Sequence, residues 1–115
     1  MTDDVLVTGA AGFVGRHLIE ELVSSTDASI VATDIKTDPP DRYRAHIGDR
    51  ITYKTGNITN ETFLDNLLGR EFDRIYHLAA VVGVSEYVEN PLKIADVNII
   101  ATRNILDRVR DTDVR

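Results

Sequence analysis

The sequence predicts an α/β fold: a doubly wound parallel sheet covered by helices on both faces. Three observations predict it. Short β-branched apolar runs alternate along the chain with segments whose apolar residues recur at helical spacing. The first run stops at a glycine-rich turn that leads directly into a helix. Each later strand is again separated from the next by a crossing segment, which parallel pairing requires and which runs right-handed.

Val5-Leu6-Val7 is the first buried strand, ending at Thr8-Gly9. From Phe13 onward Val14, Leu18 and Leu22 recur every four residues, with Ile19 and Val23 beside them. Arg16, Glu20 and Glu21 take the opposite face of this first helix. Ser29-Ile30-Val31-Ala32-Thr33, closing on Asp34, is the second strand. Residues 36–50 read as the one long loop, because Pro39-Pro40 interrupts any regular element. Ile51 to Thr55 is the third strand, after which Thr59 or Asn60 can cap a helix carrying Phe63, Leu64, Leu67 and Leu68, stopped at Gly69. Arg74 to Ala80 is the fourth strand. Pro91 suits the first turn of a long final helix with Val97, Ile100, Ile105 and Val109 among its apolar positions.

Composition bounds the function. A chain of 115 residues holds one domain, and residues 36–50 are a connection within it. With 43% hydrophobic and 28% charged residues, and no apolar run near the length of a membrane span, the expectation is a cytoplasmic protein that does not enter membranes. Acids at Asp3 and Asp4 stand where a signal peptide needs bases, and the absence of cysteine fits a reducing compartment. Acids outnumber bases 19 to 13, for a net charge of -6, which opposes binding to nucleic acid. His17, His46 and His77 lack metal-ligand spacing, so no metal is expected.

The strongest chemical signal is Thr8-Gly9-Ala10-Ala11-Gly12-Phe13-Val14-Gly15, with a glycine at every third position between strand and helix. Gly9 permits the sharp turn, Gly12 lets backbone approach a pyrophosphate, and Gly15 lets the helix pack close to the strand. The ligand's charge would rest on free N–H groups of the helix N-terminus. The bland alternative is a glycine turn that serves packing alone. Asp34, at the end of the second strand, can accept hydrogen bonds from both hydroxyls of an adenosine ribose and would repel a 2′-phosphate, which favours NAD over NADP. Its alternative is a carboxylate that caps a loop.

With these residues in view, the chain resembles the extended short-chain dehydrogenase/reductases, specifically the NAD-dependent epimerase/dehydratase family. The resemblance implies a Rossmann-type sheet, here partial, with four strands in the order 3-2-1-4. Gly56-Asn57-Ile58 is similar to the family's Gly-Asp-Ile/Leu, which fixes adenine, with Asn57 in place of the usual Asp. His77-Leu78-Ala79-Ala80 matches its H-x-A-A/G, whose small residues admit the nicotinamide ribose. Judged on its residue type alone, His77 is more often a hydrogen-bonded core histidine than a catalyst. Glu89-Asn90-Pro91-Leu92 and the run from Asn98 to Leu106 resemble the family's proline turn and its N-x-x-G-T-x-N-L/V-L helix, with Ala101 at the glycine. In the family that asparagine supports the active site; an amide bonding its own helix backbone is the alternative for Asn98. Glu86 to Leu92 is also similar to the nucleotide-sugar decarboxylase branch, and Ser85 and Glu86 could face a sugar or simply solvent. The candidate cofactor-binding residues are thus Gly9, Gly12, Phe13, Val14, Gly15, Asp34, Ile35, Asn57, Ile58, Leu78, Ala79, Ala80 and Asn98.

The family's catalytic Tyr-x-x-x-Lys is not found: Tyr43, Tyr53, Tyr76 and Tyr87 are followed at that spacing by Ile47, Asn57, Ala80 and Pro91. No catalytic residue is therefore expected among these 115, which read as the N-terminal part of an NAD-binding domain. For a full-length enzyme the resemblance implies a nucleotide-sugar substrate, a keto-sugar intermediate and a homodimer. The chain alone is expected to be inactive and to self-associate through an uncovered fourth strand. A non-catalytic NAD-sensing module, or an interaction subunit that uses the fold without the nucleotide, are the alternatives.

Overall fold

A computed structural model describes residues 2–80 and 88–115. Four parallel strands, β1 (Asp4–Thr8), β2 (Ser29–Asp34), β3 (Ile51–Thr55) and β4 (Arg74–His77), form one sheet in the order β3-β2-β1-β4. Val5 faces Ile30 and Arg74 in register, and Ile30 in turn faces Ile51. Alternation along the strands divides the core. Val5, Val7, Ile30 and Ala32 pack on one face with Ile19 and Leu22 of α1 (Phe13–Ser25). Leu6 and Val31 pack on the other with Leu67 of α3 (Glu61–Leu67) and with Phe72. Burial on both faces is what makes β1 and β2 read as continuous apolar runs. A third cluster joins Ile58 and Leu64 to Ala101 and Ile105 of the last helix.

Side chains close the N-terminus of α3 and the C-terminus of α1. Asn60 accepts from the Phe63 N–H at 3.0 Å and so caps α3. The guanidinium of Arg50 donates to the carbonyls of Val23, Thr26 and Ala28 and closes the turn between α1 and β2. No helix among the described residues is long and apolar enough to cross a membrane.

Three elements differ from the sequence expectation. The loop of residues 36–50 contains a short helix, α2 (Asp41–Arg44), which follows Pro40 and places Tyr43 in the core beside α1. Pro39-Pro40 does not exclude a helix there, because proline is compatible with its entry. β4 ends at His77 and not at Ala80: the Leu78 N–H is shared between the Thr8 carbonyl at 3.3 Å and the Thr8 hydroxyl at 3.0 Å, and the Ala79 N–H bonds the hydroxyl at 3.1 Å. The final helix is not uniform. α4 (Pro91–Ala95) passes through a π-helical turn (Asp96–Ile100) into α5 (Ala101–Val109), and the Ala101 N–H reaches back to the Asp96 carbonyl. The outer edge of β4, expected bare, is also partly paired: Ile75 donates to the Arg115 carbonyl at 2.7 Å, and Arg115 donates to Asp73 at 3.0 Å.

Candidate cofactor site

The carboxyl ends of all four strands open onto one cleft of about 300 Å³, at the position where the strand order reverses between β1 and β4. Its floor is the glycine turn. Gly9 has φ +66°, and a Cβ there would lie 2.7 Å from the backbone of Leu78 and Ala79, so the turn and the segment after β4 are in backbone contact. Gly15 is equally constrained: a Cβ would press into the Gly9 carbonyl. Gly12 is different, because a Cβ would meet only the Gly9 oxygen at 3.3 Å, and its φ of -76° suits any residue. Packing therefore constrains the glycines at 9 and 15 far more than the one at 12, which lines the cleft.

Gly12 is also the N-cap of α1 and has no side chain to bond the helix's first N–H groups. The first turn, Phe13 and beyond, holds no acid. The positive end of α1 is thus left for an external acceptor. Phe13 and Val14 are exposed at this end, 71% and 59%, and Gly15 is buried beneath them.

Across the cleft stands Asp34. One carboxylate oxygen accepts from the Ala11 N–H at 2.9 Å and the other from the Lys36 N–H at 3.0 Å. These bonds fix the carboxylate between the glycine turn and the end of β2 while leaving lone pairs on both oxygens for further donors. Ile35 stands exposed at the rim. Gly56, Asn57 and Ile58 form the wall beyond β3, held by the bond from the Gly56 N–H to the Asp34 carbonyl. The Asn57 side-chain oxygen accepts from the N–H and hydroxyl of Thr59, so its amide nitrogen is the donor it can offer. Leu78, Ala79 and Ala80 complete the wall after β4.

Of the sequence candidates, the structure thus gathers Gly9, Gly12, Asp34, Ile35, Asn57, Ile58, Leu78, Ala79 and Ala80 around one cleft. Phe13, Val14 and Gly15 belong to the helix end beside it, and Asn98 sits in the π-helical turn next to the lining residue Val97. Ser85, Glu86 and Tyr87 lie outside the described residues.

Lys93 and Tyr43 are not among the sequence candidates. Lys93, on α4, brings a cation to the cleft, a role that its place in an amphipathic helix does not announce. Tyr43 is buried and donates from its hydroxyl to the Ala10 carbonyl at 2.9 Å, bracing the glycine turn from below. Burial, with the Tyr53 hydroxyl and Asp34 nearby, holds Tyr43 protonated far above the usual phenol range. His77 is half-buried, and desolvation lowers its pKa below the usual 6.5. Both of its ring nitrogens are hydrogen-bonded, to Thr8 at 2.7 Å and Thr102 at 2.9 Å, as the core-histidine reading anticipates.

A parallel sheet in this order, with a glycine turn and an uncapped helix at its switch point, defines a Rossmann-type fold. The chain belongs to the GDP-mannose 4,6 dehydratase family, whose model matches residues 6–115. It is 34% identical over 113 residues to UDP-glucuronic acid decarboxylase 6 of Arabidopsis thaliana, covering 96% of this chain and 31% of that protein. Among solved structures it is similar to an epimerase of Methanothermobacter thermautotrophicus, with a TM-score of 0.82 and 28% identity, over 98% of this chain and 33% of the other. It is also similar to MoeE5, solved in complex with UDP-glucuronic acid and NAD, with a TM-score of 0.74 and 31% identity over 91% of this chain and 32% of the other. The chain spans about a third of the length of the curated relatives it matches.

Proposed function

We propose that this chain binds NAD in the cleft at the strand ends and is the N-terminal cofactor-binding part of a nucleotide-sugar-modifying oxidoreductase. The observation that carries the reading is the pairing of two features across one cleft. Gly12 leaves the N-terminus of α1 uncapped where a methyl group would meet a single oxygen, and a fixed Asp34 carboxylate stands at the end of β2. The first suits a pyrophosphate and the second a ribose diol. Gly12 through Val14 would hold the pyrophosphate on backbone N–H groups, with Lys93 adding a cation. Asp34 would accept the ribose hydroxyls, Ile35 and Ile58 would flank adenine, and the Asn57 amide nitrogen would donate to it. Gly9, Leu78, Ala79 and Ala80, small or tightly turned, would leave room for the nicotinamide ribose, with Gly15 and Asn98 acting from behind the cleft.

Bound NAD supplies a hydride acceptor for a sugar carbon. The base for the hydroxyl proton would come from outside residues 1–115, in keeping with the missing Tyr-x-x-x-Lys. Membership in a family whose similar proteins include an epimerase and a UDP-glucuronic acid decarboxylase supports a nucleotide sugar as substrate. A homodimeric, cytoplasmic full-length enzyme completes the proposal. Calorimetric titration tests it: NAD should bind more tightly than NADP, and Asp34→Ser should weaken NAD by about tenfold and erode the preference. An Asp34→Ser variant with the parent's preference would remove Asp34 from this role.

A further inference from the structure

The glycine turn and the final helix are joined by a chain of hydrogen bonds whose directions can be assigned by counting donors. The Thr8 hydroxyl oxygen receives the N–H groups of Leu78 and Ala79 at 3.0 and 3.1 Å, the former shared with the Thr8 carbonyl at 3.3 Å. Those two bonds occupy its two lone pairs, so its single proton points to Nδ1 of His77 at 2.7 Å. Nδ1 must then be an acceptor, and the proton of the neutral ring sits on Nε2. From there it is donated to the Thr102 hydroxyl oxygen at 2.9 Å, and Thr102 donates its own proton to the Asn98 carbonyl at 3.1 Å. That carbonyl lies within the π-helical turn, a distortion that concentrates at functional sites.

The chain connects the cleft's two sides. At one end it fixes Leu78 and Ala79, whose backbone touches Gly9. At the other it fixes the turn of helix that carries Val97 and, one turn earlier, Lys93. We propose that His77 is a positioning residue, held as the Nε2–H tautomer between Thr8 and Thr102, which sets the spacing of the glycine turn from the helical wall and thereby the affinity of the cleft. The affinity part rests on the NAD reading above; the tautomer and the coupling do not.

Nitrogen NMR of the imidazole in the unmodified protein at neutral pH should show the Nε2–H tautomer. Thr102→Val, which keeps the shape of the side chain but removes the hydroxyl, should shift the amide signals of Leu78 and Ala79 and weaken NAD about fivefold, the equivalent of one net hydrogen bond. Thr102→Ser should return both to the parental values. An Nδ1–H or doubly protonated ring at neutral pH overturns the proposal, as does a folded Thr102→Val protein with unchanged Leu78 and Ala79 amides. Should Thr102→Val fail to fold, the tautomer of the unmodified protein still decides. If the parent protein binds no NAD, the cofactor reading falls, while tautomer and amide shifts continue to judge the linkage by themselves.

Discussion

Replacing the glycines of the turn one at a time separates packing from ligand binding. In Gly15→Ala the new methyl would press on the Gly9 carbonyl and lie 3.0 Å from Ala10 Cα, all backbone that cannot move aside independently. Overpacking of this kind costs about 1–3 kcal/mol. Gly9→Ala adds the penalty of φ +66°, about 1–2 kcal/mol, to contacts of 2.7 Å with the backbone after β4. Against a total stability of about 5–15 kcal/mol, either change should visibly lower the urea midpoint. Gly12→Ala meets only one oxygen, at 3.3 Å, and has an ordinary φ, so its stability should stay within about 1 kcal/mol of the parent. Yet the methyl stands in the cleft, and NAD affinity should fall tenfold or more, about 1.4 kcal/mol. Urea denaturation monitored by circular dichroism, paired with calorimetry, reads both quantities. A Gly12→Ala protein as unstable as Gly15→Ala, or one that binds NAD normally, would return the whole glycine run to a packing role.

Tyr43→Phe removes the donor to the buried Ala10 carbonyl and should cost about 1–3 kcal/mol, read as a lower urea midpoint with little change in helical signal. The lowered pKa of His77 means that the unfolded chain binds a proton more readily than the folded one. Its contribution is therefore fully present above pH 6.5 and is lost as pH falls from there toward the folded value. His77→Phe should flatten this part of the stability profile, which urea midpoints between pH 7 and 5 would show. Arg50→Met should destabilise by about 1–3 kcal/mol, because three carbonyls, of Val23 in the last turn of α1 and of Thr26 and Ala28 after it, lose their charged donor, and hydrogen exchange should quicken first around Thr26.

The strands and first helix were legible because their patterns are local: apolar runs buried on both faces, a four-residue recurrence from Val14 to Leu22, and glycines at a fixed spacing. The fate of residues 78–80 was not, because it depends on a hydroxyl 70 residues away that shares the Leu78 N–H with the ladder and takes the Ala79 N–H for itself. Tyr43 was hidden for the same reason: its partner, Ala10, lies 33 positions upstream, and its proline-rich neighbourhood signals only a loop. The π-helical turn leaves no mark in apolar periodicity. The glycine at position 12 could be seen, but only the structure separates it from its neighbours, since the three share one spacing and differ in what a methyl group would strike.

NAD binding at the strand ends is tested by mapping NAD onto the protein's own amides in an NMR titration. Saturable shifts should concentrate at Gly9, Gly12 to Gly15, Asp34, Ile35, Asn57 and Leu78 to Ala80, and vanish in Gly12→Val. Shifts confined to another surface, such as the hollow between Arg16 and Arg42 on the side of α2, or a Gly12→Val protein that still responds at the cleft, would contradict it.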